Sequence, residues 1–230
     1  MTDAHCHVTG GDPEVRELLI GRDFLGVHPW DAGRVVESSS RRVTDAESDF
    51  LTALRRRLES DSSLGVGEIG LDRLKEKTIS PLMREVFEAQ LKLALEFHRP
   101  VVLHGAKCWG QVVSAVSSTI RRFDDSTISP FLFHGFSRSE GLIPDIVALN
   151  GYVSVGPAVL NDHAVNYREL VKRIPLDRLL VETDRTPENA STCPSVAAVA
   201  AKVAELREMP LAELERLTDA NAARFAGGEG

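Results

Sequence analysis

Short apolar runs recur along this 230-residue chain, and helical patterns separate most of them. Several runs consist of Val, Ile and Leu without alternation, which is typical of strands covered on both faces of a parallel sheet. Strands that alternate with helices predict a parallel α/β fold. The predicted strands are Thr2–Cys6, Arg16–Ile20, Phe24–His28, Ser63–Glu68, Pro100–His104, Pro130–His134, Gly151–Val155 and Leu179–Thr183.

Eight predicted strands favour a (β/α)8 barrel, or TIM barrel, over an open sheet. At 230 residues the barrel is short, and the segment from His7 to His28 has room for a strand but hardly for two helices. We therefore expect the first helices of the outer ring to be reduced or missing, and residues 1–230 to form one domain. The predicted helices are Asp45–Glu59, Pro81–Phe97, Trp109–Phe123, Glu140–Leu149, Ala164–Ile174, Ser195–Arg207 and Leu211–Phe225.

The bulk composition limits the possible partners. A net charge of −7 argues against binding nucleic acid through a broad basic surface. It remains compatible with a polyanionic substrate, because a carboxylate-rich metal site counts as negative until its cations are bound. The longest apolar runs fall short of the ~20 residues that a membrane span needs. No obligate protein partner is evident.

The cysteines bear on the compartment. Cys6, Cys108 and Cys193 form neither a Cys-x-x-Cys pair nor an even set that would predict a disulfide framework. This usage fits a reducing compartment, so a cytoplasmic location is expected.

Polar residues with metal-binding side chains stand where several predicted strands end. In a barrel, these ends converge on the face that carries the active site. A histidine or an acid that closes an apolar strand loses hydration unless it is paired or coordinated, so the coincidence points to a shared site. The residues are His5 and His7 on the first strand, Glu68 on the fourth, His104 on the fifth, His134 on the sixth and Asp184 after the eighth.

Imidazoles and carboxylates together suit zinc, manganese or iron, and magnesium when more oxygen ligands are added. Six ligands are more than one structural zinc needs. They suit two divalent ions (Zn, Mg or Mn) that share a bridging carboxylate, an arrangement that activates water for phosphoester hydrolysis.

These motifs resemble, in the right order and over nearly the whole chain, the TatD family of metal-dependent deoxyribonucleases within the amidohydrolase-like barrels. The last predicted helix, Leu211–Phe225, also looks like the C-terminal segment of that family. The motifs that carry the resemblance are Asp3–His7, Gly26–Pro29, Gly67–Asp72, Pro100–His104, His134–Phe136, Gly151–Ser154 and Pro175–Asp184.

The resemblance implies a role for each ligand. His5, His7 and Asp184 would hold one ion, His104 and His134 the second, and Glu68 would bridge them. Asp184 and Glu68 are then the expected catalytic residues, with Asp184 orienting or deprotonating the attacking water. His28 would line the site and meet substrate rather than bind metal. From its place on the first strand, Asp3 is expected to orient a ligand histidine or the first turn.

The segments around the ligands depart from the family pattern, as in a divergent branch. Arg185–Glu188 replaces the usual Ser-Pro-Tyr-Leu, the usual Arg after His104 is absent from Gly105–Trp109, and Arg73 follows Asp72 where the family has Tyr. Substrate contacts are therefore sought among other residues. Lys107, Arg185, Arg73 and Arg138 are candidate phosphate contacts, and Trp30 and Trp109 are candidates for stacking on a base or for packing at the barrel mouth.

Three functions remain open from the sequence. The first is a two-metal phosphodiesterase that acts on DNA, single-stranded or at an end. The second is hydrolysis of an amide or ester bond in a small molecule, because a fold does not determine its substrate. The third, a non-catalytic metal-binding barrel, is disfavoured because all six ligands are present.

Overall fold

The structure is a computed structural model that describes residues 1–37, 43–123, 129–137 and 139–227. Its strands are all parallel and follow one another in chain order. One ladder joins β1 to β2, another joins β3 through β8, and a parallel bridge between Ile20 and Phe24 connects the two. The strands are β1 Thr2–Cys6, β2 Arg16–Leu19, β3 Phe24–Leu25, β4 Gly65–Gly70, β5 Val101–His104, β6 Phe131–Phe133, β7 Gly151–Val155 and β8 Leu179–Val181.

Hydrogen bonds between the segment after β8 and β1 close the ring. The Asp184 N–H donates to the His5 carbonyl at 3.0 Å, and the His7 N–H donates to the Arg185 carbonyl at 2.8 Å. The buried carboxylate of Asp3 accepts bonds from the Thr183 N–H at 3.0 Å and from its hydroxyl at 2.6 Å. The barrel predicted from the sequence is thus confirmed, and Asp3 binds mainly across this seam.

The helices cover the outside of the barrel from β3 onward. Residues 7–15 and 20–23, which connect the first three strands and are all described, form turns without a helix, as expected from their length. None of the helices in the described ranges is long and apolar enough to cross a lipid bilayer. The helices are α1 Ala32–Glu37, α2 Val43–Ser60, α3 Pro81–Glu96, α4 Trp109–Ile120, α5 Ile143–Ala148, α6 Val165–Arg173, α7 Val196–Leu206 and α8 Leu211–Phe225.

Some elements differ from the sequence prediction: β3 covers only Phe24–Leu25 of the predicted Phe24–His28, and α4 ends at Ile120 rather than at Phe123. Helix α1 was not predicted. Helix α5 is shorter than Glu140–Leu149, and a 3₁₀ turn over Glu140–Leu142 precedes it. Pro144 stands in the first turn of α5 and has no N–H to donate to the preceding turn, which explains why regular helix begins only there.

An apolar cluster drawn from seven strands fills the barrel, and α8 packs against it. The Phe225 ring of α8 stacks on Phe24 at 5.7 Å between centroids and meets Tyr152 at 6.0 Å. Asn221 of α8 donates to the Leu179 carbonyl at the start of β8 at 2.7 Å. Helix α8 therefore covers the end where the strands begin, and the end where they finish stays open. The cluster consists of Ala4, Leu18, Phe24, Val102, Leu132, Tyr152, Leu180, Ala222 and Phe225.

Gly70 allows β4 and β5 to approach closely beside the open end. Its φ is +151°, and a Cβ placed there would lie 2.0 Å from the backbone oxygen of His104. Only glycine fits such a position, because the obstacle is a main-chain atom that the paired strand holds in place. This contact sets the spacing between the strands that carry Glu68 and His104.

Replacing Gly70 with Ala is expected to destabilise the protein by roughly 2–4 kcal/mol, because strand pairing must open to admit the methyl group. Urea denaturation followed by circular dichroism measures the loss. The matched control is Gly110→Ala on α4, where nothing lies within 4 Å of the added methyl group. That change is expected to be neutral or to stabilise by up to about 1 kcal/mol. Equal stabilities for the two variants would contradict the proposed constraint.

Candidate metal centre

A buried carboxylate, Glu68, lies at the centre of the open end of the barrel. Its side chain is 3 % exposed, and five of the seven histidines of the chain approach it. The nearest nitrogen–oxygen distances to the Glu68 carboxylate are 2.5 Å for His104, 2.6 Å for His134, 3.3 Å for His7, 3.6 Å for His5 and 3.6 Å for His28. Four strands and the loop after β3 deliver these side chains to one point.

Ligand atoms of His5, His7 and Asp184 lie close enough together to hold one ion, and Glu68 faces the two histidines. His5 Nε2 lies 3.6 Å from Glu68 Oε2 and 3.5 Å from Asp184 Oδ1. His7 Nε2 lies 3.3 Å and 3.6 Å from the same two oxygens. Tetrahedral ligands about 2.1 Å from a zinc ion are about 3.4 Å from one another, so these distances match.

The burial of His5 supports the same conclusion. Its side chain is fully buried, and within the described part of the chain neither of its ring nitrogens has a hydrogen-bond partner. Burying an unpaired polar nitrogen is costly, whereas coordination to a cation would satisfy it. The donor set of His5, His7, Asp184 and Glu68 therefore fits a divalent ion.

On the other side of Glu68, the histidines lie closer together. His104 Nδ1 and His134 Nε2 are 3.3 Å apart, and both are at hydrogen-bond distance from Glu68 Oε1. His28 Nε2 faces the same oxygen, and His28, Glu68 and His104 together form a group that could hold an ion. The structure thus brings His28 into the site, as the sequence analysis expected, and as near to the Glu68 carboxylate as His5.

Two further acids hold the histidines in place. His104 Nε2 is 2.8 Å from Asp72 Oδ2, and His134 Nδ1 faces Glu182 Oε1 at 3.7 Å. Glu182 is itself held by the Gly135 N–H at 2.8 Å. Carboxylates behind metal-binding histidines orient the rings and increase their basicity. The sequence analysis assigned neither acid to the site, although Asp72 follows the predicted strand that ends in Glu68 and Glu182 lies near the end of the last predicted strand.

The carboxylates create a negative potential at this point. Burial raises the pKa of Glu68, but the charge of His134 and the hydrogen bonds from His104 and His134 outweigh burial and hold it well below its usual range. Burial lowers the pKa of His134, yet the charge of Glu68 overcomes this effect and raises it well above normal. The contact with Glu68 likewise raises the pKa of His7, against the effect of burial. His7 and His134 therefore hold a proton more tightly than they would in water.

The centre opens into a cleft of about 980 Å³, which lies within the size range of ligand pockets. Its floor is formed by His7, His28, Glu68, His104, His134 and Asp184. The walls combine apolar and polar side chains: Ile20, Val27, Trp30, Asp31, Arg34, Phe50, Thr186, Pro187 and Glu188.

Of the two tryptophans, the structure brings Trp30 to the cleft and places Trp109 in the core. Trp109 is 5 % exposed, and its ring lies 5.7 Å from Phe133 and 5.4 Å from Phe136. The ring packs under the loop after β5, where a Cβ at Gly105 would lie 2.2 Å from it. Trp109 therefore packs in the core, and the structure does not place it where it could contact a substrate, a role that the sequence analysis had suggested.

Three of the predicted cations, Lys107, Arg185 and Arg73, lie outside the cleft lining. Lys107 is exposed in a left-handed backbone conformation with φ of 58°. Arg185 Nη1 donates to the Ala190 carbonyl at 3.1 Å, and Arg73 Nε donates to the Lys77 carbonyl at 3.0 Å. Arg138 lies outside the described residues. Among the described residues, the cation in the lining is Arg34.

Comparison with known proteins places this geometry in a family. The family model described as TatD related DNase matches residues 21–227. An uncharacterized metal-dependent hydrolase of Bacillus subtilis, YabD, is 31 % identical over 220 residues, which cover 91 % of this chain and 80 % of the relative.

Two further comparisons are with a relative that is named as an exonuclease and with a solved structure that has a similar fold. The 3'-5' ssDNA/RNA exonuclease TatD of Edwardsiella piscicida is 28 % identical over 160 residues, which make up 69 % of this chain and 55 % of the exonuclease. The crystal structure of the TatD homologue YJJV of Escherichia coli K12 superposes with a TM-score of 0.67 at 24 % identity. That superposition covers 94 % of this chain and 78 % of the homologue, and it supports the barrel fold.

Metal binding is expected to strengthen as pH rises, because an ion must displace protons from histidines whose pKa values are raised. Below those pKa values the proton competes with the metal, and above them it does not. Each displaced proton is expected to change the affinity about tenfold per pH unit. Competition between the protein and a chromophoric chelator for Zn²⁺ at about pH 6 and pH 8 measures this.

The variant His5→Ala is expected to lose most of that affinity at either pH. His163→Ala, which alters a histidine outside the cluster around Glu68, serves as the matched control and is expected to retain it. An affinity that does not change with pH would show that the cluster is not the metal site.

Proposed function

This chain belongs to the TatD-related DNase family of metal-dependent hydrolases, and from that membership and its metal centre we propose that it is a deoxyribonuclease. It would cleave phosphodiester bonds of single-stranded DNA or of DNA ends with water activated by two divalent ions. We propose further that residues 1–230 act as one hydrolase domain. A cytoplasmic location is in keeping with the free thiols of Cys6, Cys108 and Cys193.

The proposal rests on one observation: the two carboxylate oxygens of Glu68 face different sets of histidines. One carboxylate oxygen faces His5 and His7 beside Asp184, and the other faces His104 and His134. A carboxylate with ligands on both sides is the element that a pair of neighbouring ions requires. Divalent ions bound at such a centre polarise the scissile phosphate and make a water molecule more acidic.

Asp184 is suited to receive the proton of the attacking water. Its backbone is left-handed, with φ of 48°, and its N–H is held by the His5 carbonyl. The side chain is 48 % exposed, so it reaches both the ligand histidines and the cleft. Burial raises the pKa of Asp184, but the nearby imidazoles of His5 and His134 outweigh burial and lower it. The carboxylate is therefore available as a base at neutral pH.

The shape of the barrel mouth favours an extended substrate. Asp184 lines the first cleft and also a second one of about 1330 Å³, whose walls come from the loops after β6, β7 and β8. A chain that crosses Asp184 could occupy both clefts. The exonuclease of Edwardsiella piscicida is named for single-stranded DNA and RNA, a class of substrate with such a shape.

A second candidate is hydrolysis of an amide or ester in a small molecule. The first cleft favours it, because its aromatic and aliphatic walls and its volume are those of a small-molecule pocket. Lys107 and Arg185 are also missing from the described lining, so the cleft lacks these two predicted phosphate contacts. The two candidates share the metal centre and differ only in what the walls bind.

Turnover of a labelled, short single-stranded DNA with Mg²⁺, Mn²⁺ or Zn²⁺ tests the proposal, with chelator-treated protein as the blank. Asp184→Asn is expected to lower kcat by about 10²–10⁴, because the carboxylate that receives the proton becomes a neutral amide. Quenched-flow or gel analysis of the cleaved products measures kcat.

Asp177→Asn is the matched control, since it removes a carboxylate that is 70 % exposed at the opposite end of β8. It is expected to keep full activity. If no metal supports DNA cleavage while an amide or lactone panel is hydrolysed in an Asp184-dependent way, the enzyme is a small-molecule hydrolase and the nuclease proposal is wrong.

A further inference from the structure

Trp30 presents a large aromatic surface to solvent inside the cleft. Its side chain follows β3 in a 3₁₀ turn over Pro29–Asp31 and is 48 % exposed. The other large apolar side chains of comparable exposure in the described ranges are Leu74, Val165 and Leu211, and none of them lines the first cleft. A single exposed apolar side chain is common on protein surfaces, but Trp30 differs from the other three because it lines the cleft above the metal centre.

The ring is tied to the metal centre through His28. The backbone N–H of Trp30 donates to His28 Nδ1 at 3.1 Å, and the indole and imidazole rings meet edge to face at 4.8 Å and 76°. His28 Nε2 in turn lies 3.6 Å from Glu68 Oε1, and the Trp30 ring lies 6.3 Å from His104. Trp30 is therefore held in a defined position directly beside the proposed reaction centre.

A cation accompanies the ring. Lys75 Nζ, from the loop after β4, lies 5.2 Å from the centroid of Trp30. Lys75 is exposed, and its ammonium group makes no salt bridge recorded among the described residues. In a chain with a net charge of −7, a lysine over an exposed indole at the rim of an acidic cleft marks a place that suits an aromatic anion.

We propose that Trp30 is a stacking platform for an unpaired nucleobase of the substrate, and that Lys75 contacts the phosphate beside that base. The assignment rests on the proposed nuclease function and adds a subsite to it. Only the sugar separates a base from its phosphate, so a base on Trp30 leaves a phosphate within reach of the side of Glu68 that faces His28 and His104.

A base can displace Lys75 from the Trp30 ring because it binds the ring more strongly than the lysine does. Stacking of a base on an aromatic side chain is stronger than a cation–π contact at an exposed site. The lysine side chain is long and flexible, so it can leave the ring and follow the phosphate. Because every base has a π face, this platform accepts any sequence but requires a base that is not paired in a duplex.

An abasic scan of the substrate tests the platform. Short oligothymidylates that each lack the base at one position are compared with the intact oligomer. In the wild-type protein, KM is expected to rise roughly 5- to 150-fold when the missing base is the one that stacks, and little at other positions. In Trp30→Ala, the intact oligomer is expected to show the same rise, and the abasic profile becomes flat.

Variants separate stacking from other roles. Trp30→Phe keeps a π face and is expected to retain most of the position dependence, whereas Trp30→Leu is expected to lose it. Lys75→Ala is expected to raise KM equally for intact and abasic oligomers, because a phosphate contact does not depend on the base. Leu211→Ala, an exposed apolar residue away from the cleft, is the matched control and is expected to change nothing.

Two outcomes overturn the platform. One is a wild-type abasic profile that is already flat, and the other is a Trp30→Ala loss that is equal for intact and abasic oligomers. If the protein cleaves no oligonucleotide with any metal, the proposed nuclease function is wrong. Whether Trp30 stacks on a base is then tested separately, by measuring oligonucleotide binding. Quenching of Trp30 fluorescence by intact but not abasic oligomer, measured in a Trp109→Phe background with chelator, supports stacking, and no quenching refutes it.

Discussion

The charge of one buried carboxylate organises the active end of this barrel. Glu68 lies almost fully inside the protein, where an isolated negative charge is strongly unfavourable. The five surrounding histidines make it tolerable, because each offers either a proton or a nitrogen that shares a cation with it. The same requirement explains why side chains from distant parts of the chain converge there, and why the acids Asp72 and Glu182 stand behind the histidines. From the middle outward, the centre therefore consists of the Glu68 carboxylate, a layer of histidines, and the carboxylates of Asp72 and Glu182 behind them.

The frame of the barrel keeps that arrangement in register. The seam between β8 and β1 joins the Asp184 N–H to the His5 carbonyl, so two ligands of the same proposed ion are connected by the bond that closes the ring. Asp3 strengthens the seam through Thr183, one residue before Asp184. Helix α8 fills the opposite end with Phe225, which leaves only the carboxyl ends of the strands open. Stability and chemistry thus occupy opposite ends of one barrel.

The substrate-facing residues were harder to identify than the ligands. Trp30 and Trp109 both follow a predicted strand that ends in histidine, yet one ring is exposed in the cleft and the other is packed against Phe133 and Phe136. Arg185 and Lys107 follow ligand strands too, but their loops direct them away from the cleft lining. Arg34, which does line it, belongs to a short helix that the periodicity did not reveal. Loop conformation decides such positions, and local sequence specifies loops poorly.

The sequence by itself determined that there are eight strands, their parallel order and the missing first helices, and it predicted the six side chains that we propose as metal ligands. These features follow from local rules: apolar runs set the strands, and strand ends in a barrel share one face. Only the tertiary structure decided which atoms meet at Glu68, that His28 comes within 3.6 Å of it, and which tryptophan faces the cleft. Those outcomes depend on distances between segments far apart in the chain, which no local pattern records.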